Sequence, residues 1–184
     1  MFRGHPCNFG GFRATYEADE QAAGVPRFSE EVFRRLYDET LEETLRVARG
    51  ICGSDEDAKE ACQDAYAALA QYWSSGGLRE SPRRLLFRAL QRSAIDALRA
   101  RLRRERRVGV SAPTAMLSVR GPLERALRRL RHEDAALLVM QSVVGMTYEE
   151  LAQVQRTSVS AIRARLFRAR GELARRYEEE GGEW

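Results

Sequence analysis

Six positions in one short segment, Ser160, Ala161, Arg163, Ala164, Arg165 and Arg168, combine small side chains and arginines at helical spacing. An arginine fork can donate two parallel hydrogen bonds to a guanine edge or a phosphate, and small neighbours let a helix come close to base edges. A second row, Arg88, Arg92, Asp96, Arg99 and Arg103, steps by three or four residues along another segment. Rows of this kind also line ordinary solvated helices. Here the row lies in a cationic block and follows the Ser74–Gly77 loop, which favours binding to a polyanion. No catalytic constellation stands out, so no enzyme is expected. Cys7, Cys52 and Cys62 are widely spaced, and His5 with Cys7 makes half a zinc site at most. Neither a disulfide framework nor a metal or other cofactor is expected.

Charge distribution supports the polyanion reading. Residues 1–78 carry 8 basic and 14 acidic side chains, residues 79–131 carry 16 and 4, and residues 132–184 carry 7 and 9. The net charge of +4 therefore hides a strongly positive middle third, the usual electrostatic mark of a polyanion partner. Lys59 is the only lysine. No apolar run approaches the roughly 20 residues of a membrane helix, the best being Ala135–Met140, and no signal-peptide pattern opens the chain. A soluble, cytoplasmic protein without membrane insertion is expected.

Helical periodicity dominates the elements that must position these residues, and no useful length alternates with period two. Ser29 caps a helix with Phe33, Leu36, Tyr37, Leu41, Leu45 and Ala48 on one face. Ser54 caps a second, with Ala58, Ala61, Cys62, Ala65, Leu69 and Tyr72/Trp73 inside. Pro82 suits the first turn of a third, with Leu85, Leu86, Ala89, Leu90, Ala94, Ala97 and Leu98 buried. After residues 106–121, rich in Gly, Pro, Ser and Thr, Pro122 starts another helix, and an apolar one runs through Ala135–Val144. Thr147 and Glu150 form a T-x-x-E capping box. Gln155–Thr157 make a break, and Ser158 caps a last helix with Val159, Ile162, Leu166, Ala169 and Leu173 inward. A short helix, a tight turn and a longer second helix make the helix-turn-helix pattern, whose second helix enters the major groove. The expected fold is all-α: two small helical domains joined by a flexible linker, the C-terminal one containing the helix-turn-helix. The expected boundaries are a flexible extension over 1–28, a helical domain over 29–105, a linker over 106–121, a helix-turn-helix domain over 122–178 and a tail over 179–184.

Both halves together resemble the extracytoplasmic-function group of bacterial sigma factors in the sigma-70 superfamily, from about Phe33 to Tyr177. "LERALRRLRHEDAALLVMQSVVGMTYEELAQV" and "SAIRARLFRARGEL" are similar to the minus-35-reading domain. "GSDEDAKEACQDAYAALAQYW" resembles the family's acidic helix, and "LLFRALQRSAIDALRARLRR" its minus-10 helix. The resemblance implies that Asp57, Ala58, Gln63, Asp64, Tyr66 and Leu69 serve docking on the clamp helices of the RNA polymerase core, with the polymerase flap as a further contact. It implies minus-10 recognition and melting by Ser74, Ser75, Gly76, Gly77, Arg88, Arg92, Ser93, Asp96 and Arg99. It assigns the minus-35 element to Ser160, Ala161, Arg163, Ala164, Arg165 and Arg168. An anti-sigma protein is an implied partner beside promoter DNA. The chain departs from the family pattern at Lys59, Glu60, Leu85, Arg92, Arg156 and Ala161. Two other readings stay open: a stand-alone helix-turn-helix regulator, and a sigma-like adaptor that binds polymerase without recognising promoters. The acidic N-terminal half favours polymerase binding, because a simple regulator does not need it.

Overall fold

A computed structural model describes residues 28–76, 80–108 and 121–183. Among them are seven α-helices and no strand. Helices α1 (Glu30–Cys52), α2 (Asp55–Ser74) and α3 (Pro82–Val108) pack together as the N-terminal half. Helices α4 (Pro122–Arg129), α5 (His132–Val139), α6 (Tyr148–Gln155) and α7 (Val159–Glu179) form the C-terminal half, with a π-helical turn over Met140–Val144. Helix α3 extends to Val108, three residues into the span expected to be linker. Residues 109–120 of that linker, residues 1–27 of the expected extension and Gly77 lie outside the described residues.

Local signals fix the helix ends. Ser29, Ser54 and Ser158 each accept a hydrogen bond from a backbone N–H three residues on, which satisfies donors that a helix start leaves open. The capping box is complete: Thr147 N–H donates to Glu150 at 2.6 Å, and Glu150 N–H to the Thr147 hydroxyl at 3.2 Å. Helix α1 ends at Gly53 in the left-handed conformation, with φ 65°, where a glycine carries no Cβ penalty.

The buried apolar residues of both halves form one continuous cluster. Leu36, Ala61, Ala65, Leu69 and Trp73 meet Leu86, Phe87 and Leu90 in the N-terminal half, and Leu137, Met140, Leu151, Ile162 and Leu166 centre the C-terminal half. The halves join where α1 runs beside α5 and the π turn, and where α3 touches α5 and α6. Two buried polar residues, Thr40 and Thr44, sit among the apolar ones. Their hydroxyls donate to the carbonyls of Leu36 and Leu41 and lie 2.7 and 3.3 Å from the Tyr66 hydroxyl. A satisfied polar group is tolerated in a core at little cost.

Candidate nucleic-acid and polymerase interface

The last helix presents the clearest reading face. Ile162, Leu166 and Ala169 are buried, so the opposite side of α7 faces solvent. Ser160, Ala161, Arg163, Ala164 and Arg168 are all exposed. Arg163 lies over the Tyr148 ring, 5.6 Å from its centroid, a cation–π contact that restricts its rotamer. Arg165 is drawn inward instead, and its Nε meets Asp134 at 2.5 Å. Phe167, which sequence reasoning passed over, is 78% exposed on the same face, seven residues after Ser160. The i, i+3/i+4, i+7 spacing through Ser160, Arg163, Ala164 and Phe167 was the signal that could have found it.

The turn between α6 and α7 contains the only non-glycine residue with positive φ among the described residues, Arg156 at φ 51° and ψ 50°. This conformation disfavours a Cβ by about 1–2 kcal/mol. Its guanidinium has a partner across the molecule: it reaches Glu80 at 2.8 Å. Glu80 also accepts two bonds from Arg88, at 2.7 and 3.0 Å. The Arg88 hydrogen bonds, followed by Arg156, hold the Glu80 carboxyl down at about 2.

The minus-10 candidates divide in two. Ser74 and Ser75 are exposed, their hydroxyls donating to the carbonyls of Gln71 and Tyr72. Gly76 follows at φ 74°. On α3, Arg92 and Asp96 are exposed and Ser93 is half-buried. Arg88 and Arg99 point to the C-terminal half: Arg88 bonds the carbonyls of Val154 and Gln153, and Arg99 bonds Glu133.

The polymerase-docking candidates on α2 also lie on two sides. Gln63 and Asp64 are exposed, whereas Ala58, Tyr66 and Leu69 are core residues. Asp57 is buried too, 2.9 Å from Arg101. Cys52 and Cys62 are buried, and burial pushes the Cys52 thiol up to about 12, which leaves it protonated and unreactive. No cluster of three potential metal ligands occurs among the described residues. No helix among them is long and apolar enough to cross a membrane.

A helix-turn-helix with an exposed, arginine-bearing second helix is held beside a three-helix unit whose third helix is strongly basic. Residues 120–173, which include the helix-turn-helix, match the family Sigma-70, region 4. The chain is 28% identical over 179 residues to the ECF RNA polymerase sigma factor SigM of Mycobacterium tuberculosis, covering 91% of this chain and 87% of that one. Its fold is similar to CnrH, solved in complex with the cytosolic domain of CnrY. That match has a TM-score of 0.59 and 22% identity, and covers 88% of this chain and 94% of that one. Residues 120–173 thus carry sigma-70 region 4, and the chain as a whole resembles the extracytoplasmic-function sigma factors of the sigma-70 family. The region 4 match and the sigma factor relative support a sigma factor role.

Proposed function

We propose that the chain is an alternative sigma subunit that binds core RNA polymerase in the cytoplasm and directs it to a promoter subset through minus-10 and minus-35 elements. The carrying observation is the match of residues 120–173 to sigma-70 region 4, which spans a helix whose polar face is open to solvent. Residues 122–178 would read the minus-35 element, with Ser160, Ala161, Arg163, Ala164 and Arg168 toward the groove. Phe167 joins them as an apolar contact, the kind that suits a thymine methyl group. Arg165 would act from the flank, since Asp134 already holds it.

Residues 29–105 would dock on the clamp helices and engage the minus-10 element, with residues 106–121 as the connection. Gln63 and Asp64 are the docking side chains available at the surface of α2. Asp57, Ala58, Tyr66 and Leu69 support that helix from inside. Ser74, Ser75, Gly76 and Gly77 would cradle a flipped non-template base, and Arg88, Arg92, Ser93, Asp96 and Arg99 would face the melting strand. The flap of the polymerase would receive the C-terminal half. A protein partner of the anti-sigma kind is proposed as well, since CnrH was solved with the cytosolic domain of CnrY.

Transcription in vitro with core polymerase on fragmented genomic DNA, with start sites mapped, tests this function. Discrete start sites sharing two spaced elements are expected. A core pull-down that recovers no protein would refute it. A stand-alone regulator would instead bind duplex sites unaided, with strong salt dependence.

A further inference from the structure

We propose that the C-terminal end of α3 is a further DNA-binding site, in which Arg103, Arg106 and Arg107 grip the phosphates of double-stranded DNA without reading its sequence. This rests on the reading of the chain as a promoter-binding sigma subunit, and it concerns the duplex between the two promoter elements.

The arginines of this segment fall into two sets. Arg101 bonds Asp57 at 2.9 Å and the Cys52 carbonyl, and Glu105 lies 3.6 Å from it. Arg104 reaches the same Asp57 at 3.9 Å. These two, with the one carboxylate of residues 99–108, tie α3 to α1 and α2. Arg103, Arg106 and Arg107 are exposed instead, and none of the three has a hydrogen-bond or ion-pair partner among the described residues. Exposed arginines on other helices behave differently: Arg34, Arg35 and Arg175 each pair with a glutamate one turn away.

The fold gains nothing from this cluster. Residues three and four apart share one helix face, so the three guanidinium groups repel one another. A cation at a helix C-terminus complements the dipole, but that effect fades within the last turn. It accounts for Arg106 and Arg107, the basic residues of the last turn, and not for Arg103. Packing does not account for them either, because Leu98 is the last buried apolar residue of α3 among those described.

Duplex phosphate is the partner whose chemistry fits. Each guanidinium fork donates in parallel to two phosphate oxygens. Arg103 to Arg107 covers about 6 Å of helix axis, against about 3.4 Å of duplex axis per phosphate of one strand. The three side chains can therefore meet two or three successive phosphates. A single strand is held by aromatic stacking as well as by charge, and no aromatic residue occurs from 88 to 147. Residues 99–108 also contain no Asn, Gln, Ser or Thr to read base edges. Chain order agrees: Arg92 and Asp96, assigned to the minus-10 strand, precede the cluster, and the minus-35 reader follows it.

The test compares the full chain with the triple variant Arg103→Ala, Arg106→Ala, Arg107→Ala and with the same three positions changed to lysine. Far-UV circular dichroism checks that each is folded. Each is bound to core polymerase, and its Kd for a double-stranded promoter fragment is measured between about 50 and 200 mM salt. Three phosphate contacts contribute a slope of about −2.7 to log K against log salt, so over that range the parent should lose about 40-fold more affinity than the alanine variant. The lysine variant keeps the charges and should follow the parent. The effect should be the same for fragments that differ in spacer sequence. Methylphosphonates at three adjacent spacer phosphates should weaken the parent and leave the alanine variant unchanged. Equal salt slopes for parent and alanine variant overturn the site. Loss of core polymerase by the alanine variant at an unchanged slope also overturns it, and gives the row to the polymerase surface. If none of the proteins binds core polymerase, the sigma reading fails, and the same salt series with the free chain on the duplex decides the site. A shallower slope for the alanine variant upholds it there, and an equal slope overturns it.

Discussion

Asp57 marks where two readings of one residue can be separated by energy. It was singled out as a polymerase contact, yet its side chain is 12% exposed and 2.9 Å from Arg101, which is 15% exposed. Breaking a fully buried ion pair by removing one partner costs roughly 3–5 kcal/mol. Arg101 keeps a second acceptor, the Cys52 carbonyl, and Glu105 lies 3.6 Å away, so the loss is smaller here. Asp57 also occupies the first turn of α2, where a carboxylate contributes about 0.3–1 kcal/mol against the dipole. Asp57→Ala should therefore cost about 2–3 kcal/mol of folding stability. A urea-denaturation cycle with Asp57→Ala, Arg101→Ala and both together should return a coupling of about 1.5–3 kcal/mol, the range for charged hydrogen bonds. Core binding should be measured in parallel, at a temperature where all variants are folded. Asp57→Ala should then bind core nearly as the parent does, whereas Asp64→Ala should lose affinity at unchanged stability. A coupling below about 0.5 kcal/mol, or a binding loss at Asp57 without a stability loss, would refute the structural role.

Other expected outcomes follow from single contacts. Arg168→Ala and Phe167→Ala should each weaken minus-35 use by about 1–3 kcal/mol in competition footprinting; both side chains are exposed, so thermal stability should hold. Arg156→Gly should be more stable than Arg156→Ala by about 1 kcal/mol, because glycine relieves the left-handed strain while both lose the Glu80 pair; equal midpoints in urea would count against it. Glu150→Ala removes half of the capping box and should cost about 1 kcal/mol, read as a lower melting temperature. The Glu80 carboxyl, facing Arg88 and Arg156, is lowered from 4.5 to about 2. Its stabilisation is fully present above 4.5 and is lost as pH falls through about 2, so the urea midpoint should drop less across that window in Glu80→Gln than in the parent. Equal pH dependence of the two midpoints would contradict this.

The sequence by itself determined most of what is local. Ser29, Ser54 and Ser158 cap as their positions demanded, and Thr147 with Glu150 closes a box, because each bond spans only three residues. The apolar period placed Ile162, Leu166 and Ala169 inward, and so exposed Ser160, Ala161, Arg163 and Arg168 on the other side. The all-helical class and the helix-turn-helix followed from the same period. Where polarity and burial disagree, the tertiary structure decided. Thr40 and Thr44 are interior because the Tyr66 hydroxyl from α2 meets them, and Asp57 is interior because Arg101 does. Arg88 and Arg99 form one solvated row in the sequence, yet their partners come from residues 153–154 and 133. Arg156 looks misplaced in its turn until Glu80, 76 positions away, is brought to it. A polar side chain carries its hydrogen-bonding capacity in the sequence, but which group satisfies it depends on contacts that only chain folding creates.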